Sequence, residues 1–411
     1  MDRGPSPSGV LTAALLALSL GVLVVAIGAR LAVPDEQAYV SIDAWDWTAE
    51  GATVRSVAPD TLPADRRLLD DDVVAAIDGP SLETWADAAF RPFTAGPTAP
   101  APSDVLRIDA IRSGIPTPLR IEPAGFPVGR VLADGWPLIV FIGLLVLVSG
   151  FIAARRPDMV VARVLLVGSV ATLASSVTWQ LGLVPTDLVR GGPALLAFVL
   201  AGPLDLLFWS AALHIVLVFE ARTDPVQRGR LILLAWGVPP LALAVGLIAS
   251  RLATTSTLVW IGSWAPIQAA VAGVILVLTL VGTVAAFRRA GPGLRHDVRW
   301  IAVAFGAAGV ATLALVLVPI VLTGRPIVPR AALGLVAIPI PLALAVAVVR
   351  DRLFEIDVLR RSRVALVVAR EDERRRLRRD LHDGLGPSLA AMTIKLGVAR
   401  RQVRDDPAAA E

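Results

Sequence analysis

The sequence predicts a mainly α, polytopic helical membrane protein of about eight spans, with a small α+β domain outside the membrane and an amphipathic helix toward its C-terminal end. Three observations carry that expectation. Of 411 residues, 55% are hydrophobic and only 18% are charged, a balance too apolar for an ordinary soluble enzyme. Crossing a hydrocarbon core takes about 20 apolar residues, and such runs recur near 9–29, 136–154, 159–183, 193–219, 230–250, 258–287, 300–323 and 331–349. Between the first and second runs lies a polar, strand-forming stretch, and after the last the composition turns to arginine and leucine at helical spacing.

The first run, Gly9 to Ala29, is free of charge and exceeds the roughly 7–15 residues of a signal-peptide core, so residues 1–33 are expected to be a retained anchor. The other spans then fill 136–350. Loops holding Arg155 and Arg156, then Arg222, Arg228 and Arg230, then Arg288, Arg289, Arg295 and Arg299 alternate with loops holding Arg190, Arg251, Arg325 and Arg330. The richer set is expected on the cytoplasmic side. With eight spans, both termini fall inside, the 34–135 segment falls outside, and the chain from Arg350 onward is cytoplasmic.

Several function classes fall away. Without cysteine there is neither a disulfide nor a thiolate metal site. Three histidines, His214, His296 and His382, are too few and too scattered for a metal cluster, so no cofactor is expected to be bound by this chain. The net charge is only +4 and gives no reason to expect a direct nucleic-acid partner. Neither H-E-x-x-H nor G-x-S-x-G occurs, which leaves an intramembrane protease without its motif. Polar side chains within the spans are few: Asp205 and His214 in the fourth, Gln180 in the third, Gln268 in the sixth. An intramembrane ionisable group can mark an ion or proton path. The competing reading is that Asp205, just after Gly202-Pro203 near a span end, is solvated by interfacial water. Nine residues at about 100° each put Asp205 and His214 on opposite faces of their helix.

Outside the spans, short β-like runs alternate with turn signals: Ala52 to Val57, Pro59-Asp60, Asp72 to Ile77, then Asp78-Gly79-Pro80. A further run, Val105 to Ile111, ends at Ser113-Gly114 and is followed by Pro118 to Ile121, while Pro92 to Pro102 reads as a loop. The stretch GATVRSVAPDTLPADRRLLDDDVVAAIDGPSLETWADA resembles the middle of a PDZ domain, and VLRIDAIRSGIPTPLRIEP resembles its closing hairpin. The resemblance implies a groove between a strand and a helix that takes an extended peptide by strand addition. A PDZ-like fold kept as a structural or dimerising module is the alternative. Asp71 stands where that family has glycine, and no Gly-Φ-Gly-Φ carboxylate loop precedes the strand.

In the last stretch, VAREDERRRLRRDLHDGLGPSLAAMTIKLGVARRQV, Leu377, Leu381, Leu385, Leu389, Met392, Leu396 and Ala399 recur every three or four residues as one apolar seam. Such a helix needs a partner, and a coiled-coil-like homodimer or bundle buries the seam. Gly384, Gly386 and Pro387 interrupt it, and Pro387 removes the bond to the Asp383 carbonyl and bends the axis beside His382. His382 follows Leu381 and so sits accessibly at the edge of the seam. Imidazole, with an unperturbed pKa of about 6.5, is a neutral nucleophile near neutral pH. An adjacent carboxylate, Asp383, can hold one ring nitrogen protonated and leave the other free to attack.

The segment DERRRLRRDLHDGLGPSLAAM resembles the H-box of the subgroup of bacterial sensor histidine kinases paired with response regulators bearing LuxR-type helix-turn-helix outputs. The resemblance implies a protein histidine kinase, a phosphotransferase of a two-component system. His382 would accept the γ-phosphoryl group of ATP, Asp383 would act as the general base, and a response-regulator aspartate would be the final acceptor. It also implies a homodimer, surrounded by membrane lipid in the bacterial inner membrane. DRLFEIDVLRRSRVALV, ALHIVLVFE and LRHDVRWIAVA resemble parts of multi-span sensor kinases. Residues 351–372 then read as a signal-relay connector and 373–411 as the first helix of the dimerisation and phosphotransfer domain. Pro387 stands where many relatives have a glutamine that orients water for dephosphorylating the regulator. The sequence reaches Glu411 before a second bundle helix, an Asn-box or a Gly-rich ATP lid. Mg-ATP is therefore expected to be held by an ATP-binding domain elsewhere, in a longer kinase or in a separate partner. The rival reading is a non-catalytic membrane receptor or decoy that dimerises with full-length kinases.

Overall fold

In the computed structural model, the described residues are 7–32, 35–36, 45–55, 68–91, 96–100, 105–121, 123–124, 128–157, 159–181, 183–219, 225–289 and 292–350, with 370, 373–376, 387, 389–402 and 404 beyond them. The chain divides into two compact units, Met1–Val346 and Ala347–Glu411. In the first unit, α1 (Pro7–Ala32) leads into a two-residue strand β1 (Asp35–Glu36). A sheet domain follows: β2 (Trp45–Thr48), β3 (Gly51–Val54), β4 (Val73–Ile77), α2 (Leu82–Phe90), β5 (Leu106–Arg112) and β6 (Ile115–Ile121). Strand β7 (Pro123–Ala124) pairs back onto β1. The helices after it are α3 (Val128–Arg155), α4 (Val160–Leu181), α5 (Pro185–Arg190), α6 (Pro193–Phe219), α7 (Pro225–Ala253), α8 (Thr257–Arg289), α9 (Pro292–Thr312), α10 (Val318–Thr323), α11 (Leu333–Ala337) and α12 (Pro339–Arg350).

Strands β2 to β6 form one antiparallel sheet in chain order. The expected runs at 52–57, 72–77, 105–111 and 118–121 correspond to β3, β4, β5 and β6, and β2 is an addition to them. In β5, Leu106, Ile108 and Ala110 are buried and alternate with more exposed residues, the period of two that a half-buried strand imposes. Helix α2 starts where Ser81 caps it, its Oγ accepting from the Thr84 N–H at 3.2 Å. It buries Leu82, Trp85 and Ala86, and the Trp85 indole N–H donates to the Ile77 carbonyl at 3.0 Å. Gly51 is required at its position: φ is +145° and a Cβ would lie 2.2 Å from the Val74 carbonyl oxygen. Asp71 has φ 68°, the left-handed region that glycine favours and aspartate adopts occasionally.

One ion pair closes this domain. Asp72 is 1% exposed, and its carboxylate accepts from Arg112 Nε at 2.9 Å and Nη2 at 2.8 Å, a bidentate fork, and from the Leu69 N–H at 2.8 Å. The hydrogen bond to Asp72 raises the pKa of the Arg112 guanidinium above its ordinary value, against the opposing effect of burial.

Seven helices among the described residues are long and apolar enough to cross a membrane: α1, α3, α4, α6, α7, α8, and the continuous run from α9 through α10. Central to them is α4, packed by small residues: Ala162, Ala171, Ala174 and Ser175 are fully buried. Gly168 lets α6 approach so closely that a Cβ there would lie 2.9 Å from that of Ala211. Ser149 of α3 and Ser169 of α4 share a hydrogen bond of 2.6 Å. Helix α1 is a wall of the bundle, with Val22 packed against Ala171, Ala174 and Leu204.

The expected span at 331–349 is not one helix. It is a 3₁₀ turn at Arg330–Ala332, then α11, then α12, and its apolar stretch Arg330–Val346 is shorter than the other seven. Pro339 cannot donate into the ladder, which breaks the run there. A related effect shapes the seventh span, where Leu313–Leu317 form a π turn between α9 and α10. Pro319 has no N–H for the Leu315 carbonyl, and that carbonyl accepts instead from the Ile327 N–H at 2.8 Å.

The sheet domain and the bundle share a core. Trp45, Ile77, Trp85 and Leu119 belong to one buried cluster with Leu183, Leu188, Leu258 and Ile261. Helix α5, unforeseen from sequence, starts with Pro185 at its first position, and Asp187 turns back to accept from the Val184 N–H at 2.9 Å. The N-terminus of α8 is capped from another domain. Glu83 of α2 accepts from the Thr257 N–H, from the Leu258 N–H at 3.1 Å and from Ser256 Oγ at 2.8 Å, while Asp87 accepts from Thr257 Oγ1. Phe90 of α2 meets Trp260 of α8 edge-on at 5.2 Å between ring centroids. On the same helix, a Cβ at Gly262 would lie 3.0 Å from the Trp47 carbonyl oxygen of β2.

Candidate functional site

The two residues expected to carry chemistry, His382 and Asp383, lie outside the described residues, as do Leu377, Leu381 and Leu385 of the seam. Described helix flanks them. Upstream, Arg376 Nη1 lies 3.8 Å from Glu373 Oε2 on an exposed face, a contact worth little in water. Downstream, residues 389–402 are helical, and all of them are exposed in the single chain.

That exposure includes the seam, with Leu389 at 60%, Met392 at 59% and Leu396 at 66%. It also includes Ile394 at 67% and Val398 at 55%. At about 100° per residue, Met392 and Leu396 fall within about 60° of Leu389, whereas Ile394 and Val398 lie about 140–180° away. The helix therefore carries a second apolar stripe that reading the seam alone misses; the signal was present in the i, i+4 spacing of Ile394 and Val398. One stripe asks for one partner helix, and two stripes ask for a bundle.

The polar residues of the spans separate into two pairs. Asp205 is 7% exposed, and Gln268 Nε2 of α8 donates to its Oδ2 at 2.9 Å. His214, on the opposite face of α6, is buried and accepts at Nδ1 from the Trp236 indole N–H of α7 at 2.9 Å. For Gln180 and His296 only the helical backbone is described.

Residues 373–411 match the family model described as histidine kinase. No curated protein and no solved structure matches the chain. The matched segment is similar to a family of dimerising domains of histidine kinases that signal to response regulators, and it is joined to a chain with seven helices, among the described residues, long and apolar enough to cross a membrane.

Proposed function

We propose that this chain is a transmembrane sensor histidine kinase of a bacterial two-component system, with His382 as phosphoacceptor and Asp383 as general base. The observation that carries the reading is the histidine kinase match over 373–411, which contains the His382-Asp383 pair and follows a bundle of apolar helices. The free ring nitrogen of His382 attacks the γ-phosphorus of Mg-ATP held by an ATP-binding domain outside residues 1–411. The bond to the ADP oxygen breaks as the N–P bond forms, while Asp383 holds the proton on the other ring nitrogen. The phosphoryl group then passes to an aspartate of a response regulator with a LuxR-type output. The exposed apolar stripes of 389–402 support a homodimeric bundle. In detergent, with a related ATP-binding domain and radiolabelled ATP supplied, the full chain is expected to acquire acid-labile, base-stable phosphate and to hand it to a regulator. A chain that takes up no label beside a competent ATP-binding domain would favour the non-catalytic receptor or decoy.

The proposed topology places eight spans in the inner membrane, the broken 330–346 stretch being the eighth, with both termini in the cytoplasm and the sheet domain outside. Its support is that Val184 to Val189 and Thr257, flanking Arg190 and Arg251 of the arginine-poor loops, pack against the sheet domain. Packing of α1 into the bundle supports a retained anchor. Reporter fusions at Pro102 and Glu411 should then behave oppositely; equal alkaline-phosphatase activity at both would sink the topology. For the sheet domain, the succession of β3, β4, α2 and the β5–β6 hairpin supports the PDZ-like reading. We assign it to stimulus sensing or dimer contacts, with no part in the phosphoryl chemistry.

A further inference from the structure

Within the first unit the bundle lines a partly open cavity of about 140 Å³, with residues from α3, α4, α6, α8, α9, the π turn, α10, α11 and α12. Most of its wall is apolar, from residues such as Phe141, Phe208, Leu276, Phe305 and Ile320. Polar residues interrupt it: Asp205 and Gln268 line it as the 2.9 Å pair, and Thr172, Ser176 and Arg330 line it as well. Trp209, one turn beyond Asp205, lines the same cavity, and the positive charge of Arg330 acts on the Asp205 carboxylate. Two residues of the wall, Val316 and Leu317, sit on the π turn, where the helix departs from regular winding; such turns frequently accompany functional sites.

We propose that this cavity binds a neutral, single-ring-sized molecule carrying one hydroxyl, with the ring among the aromatic and aliphatic walls and the hydroxyl on Asp205. Size sets the first limit, since an apolar cavity of about 150 Å³ accommodates benzene. Chemistry sets the second. A carboxylate has about four acceptor sites, and the Gln268 amide fills one of them, which leaves capacity for a hydroxyl. Charge sets the third: Asp205 and Arg330 together are neutral, so a charged ligand would leave a net charge in a low-dielectric wall. This site stands apart from phosphoryl chemistry and does not depend on it.

The test uses the full chain in nanodiscs and fluorine NMR of 4-fluorophenol, 4-fluorotoluene, 4-fluorobenzoate and 4-fluorobenzylamine, with empty nanodiscs correcting for partition into lipid. Saturable binding of 4-fluorophenol is expected, about tenfold tighter than 4-fluorotoluene, the scale of one buried hydrogen bond, with no displacement by either charged probe. Ala308→Phe, which fills the cavity from α9, should abolish it, and Asp205→Asn should narrow the gap between phenol and toluene. Absence of saturable binding, equal affinity for phenol and toluene, tighter binding of a charged probe, or full binding in Ala308→Phe would each overturn the proposal. Should the Ala308 variant fail to fold, the ranking of the four probes on the wild-type chain decides the matter alone.

Discussion

With an ATP-binding domain supplied, His382→Gln is expected to abolish the acid-labile phosphate on this chain, because the amide nitrogen's lone pair is delocalised and cannot attack phosphorus. Asp383→Asn keeps the shape of its side chain but loses the charge that holds the imidazole proton. It should slow labelling by roughly 10²–10⁴-fold, the usual scale for a general base, with helix content by circular dichroism unchanged. Label that persists in His382→Gln, or that is found on aspartate or serine, would overturn the assignment of the motif.

Arg112→Ala should be the most damaging single change in the sheet domain. It leaves the Asp72 carboxylate, 1% exposed, with the Leu69 N–H and no guanidinium. Breaking such a buried pair from one side costs about 3–5 kcal/mol, because the remaining charge stays desolvated. Replacing both partners by apolar residues, Asp72→Leu with Arg112→Met, should cost clearly less than the sum of the single changes. Pulse proteolysis of the domain across a urea series measures all three. An Arg112→Ala protein within about 0.5 kcal/mol of wild type would show that the pair is an ordinary surface contact.

Local features were legible in the sequence and long-range ones were not. The seam residues Leu389, Met392 and Leu396 lie on helix where their spacing puts them, whereas His382 and Asp383 lie outside the described residues. Strands β3 to β6 were likewise readable from alternation and from the Asp78-Gly79 and Ser113-Gly114 turns. Trp45 and Trp47 offered the same alternation for β2, which the turn-based reading passed over. The break within the last span went unread because hydropathy does not register that Pro339 removes a donor. Other features depend on pairing across the fold. Asp205 meets Gln268 across 63 residues, Asp72 meets Arg112 across 40, and Glu83 reaches Thr257 across 174. No periodicity connects such positions; only the packing of separate elements does.

Helix α8 has two allegiances. Its 33 residues span about 50 Å at 1.5 Å each, more than a hydrocarbon core needs. The first turns, Thr257 to Trp264, are fastened to the sheet domain by Glu83, Asp87, Phe90 and the Trp47 carbonyl. From Gln268 onward the helix belongs to the bundle through Asp205, Ala272 and Leu276. Pro266 falls between the two sets of fastenings, and without an N–H it leaves the Gly262 carbonyl outside the ladder, the weakest point in the backbone of the rod. Pulling the sheet domain off its seat would exchange the Thr257 and Leu258 hydrogen bonds to the Glu83 carboxylate for bonds to water, a net cost of about 1.5–3 kcal/mol each. Pro266 is the place in α8 where a force on the sheet domain would bend the rod, and a bend there would reach Arg288 and Arg289 as a change of angle.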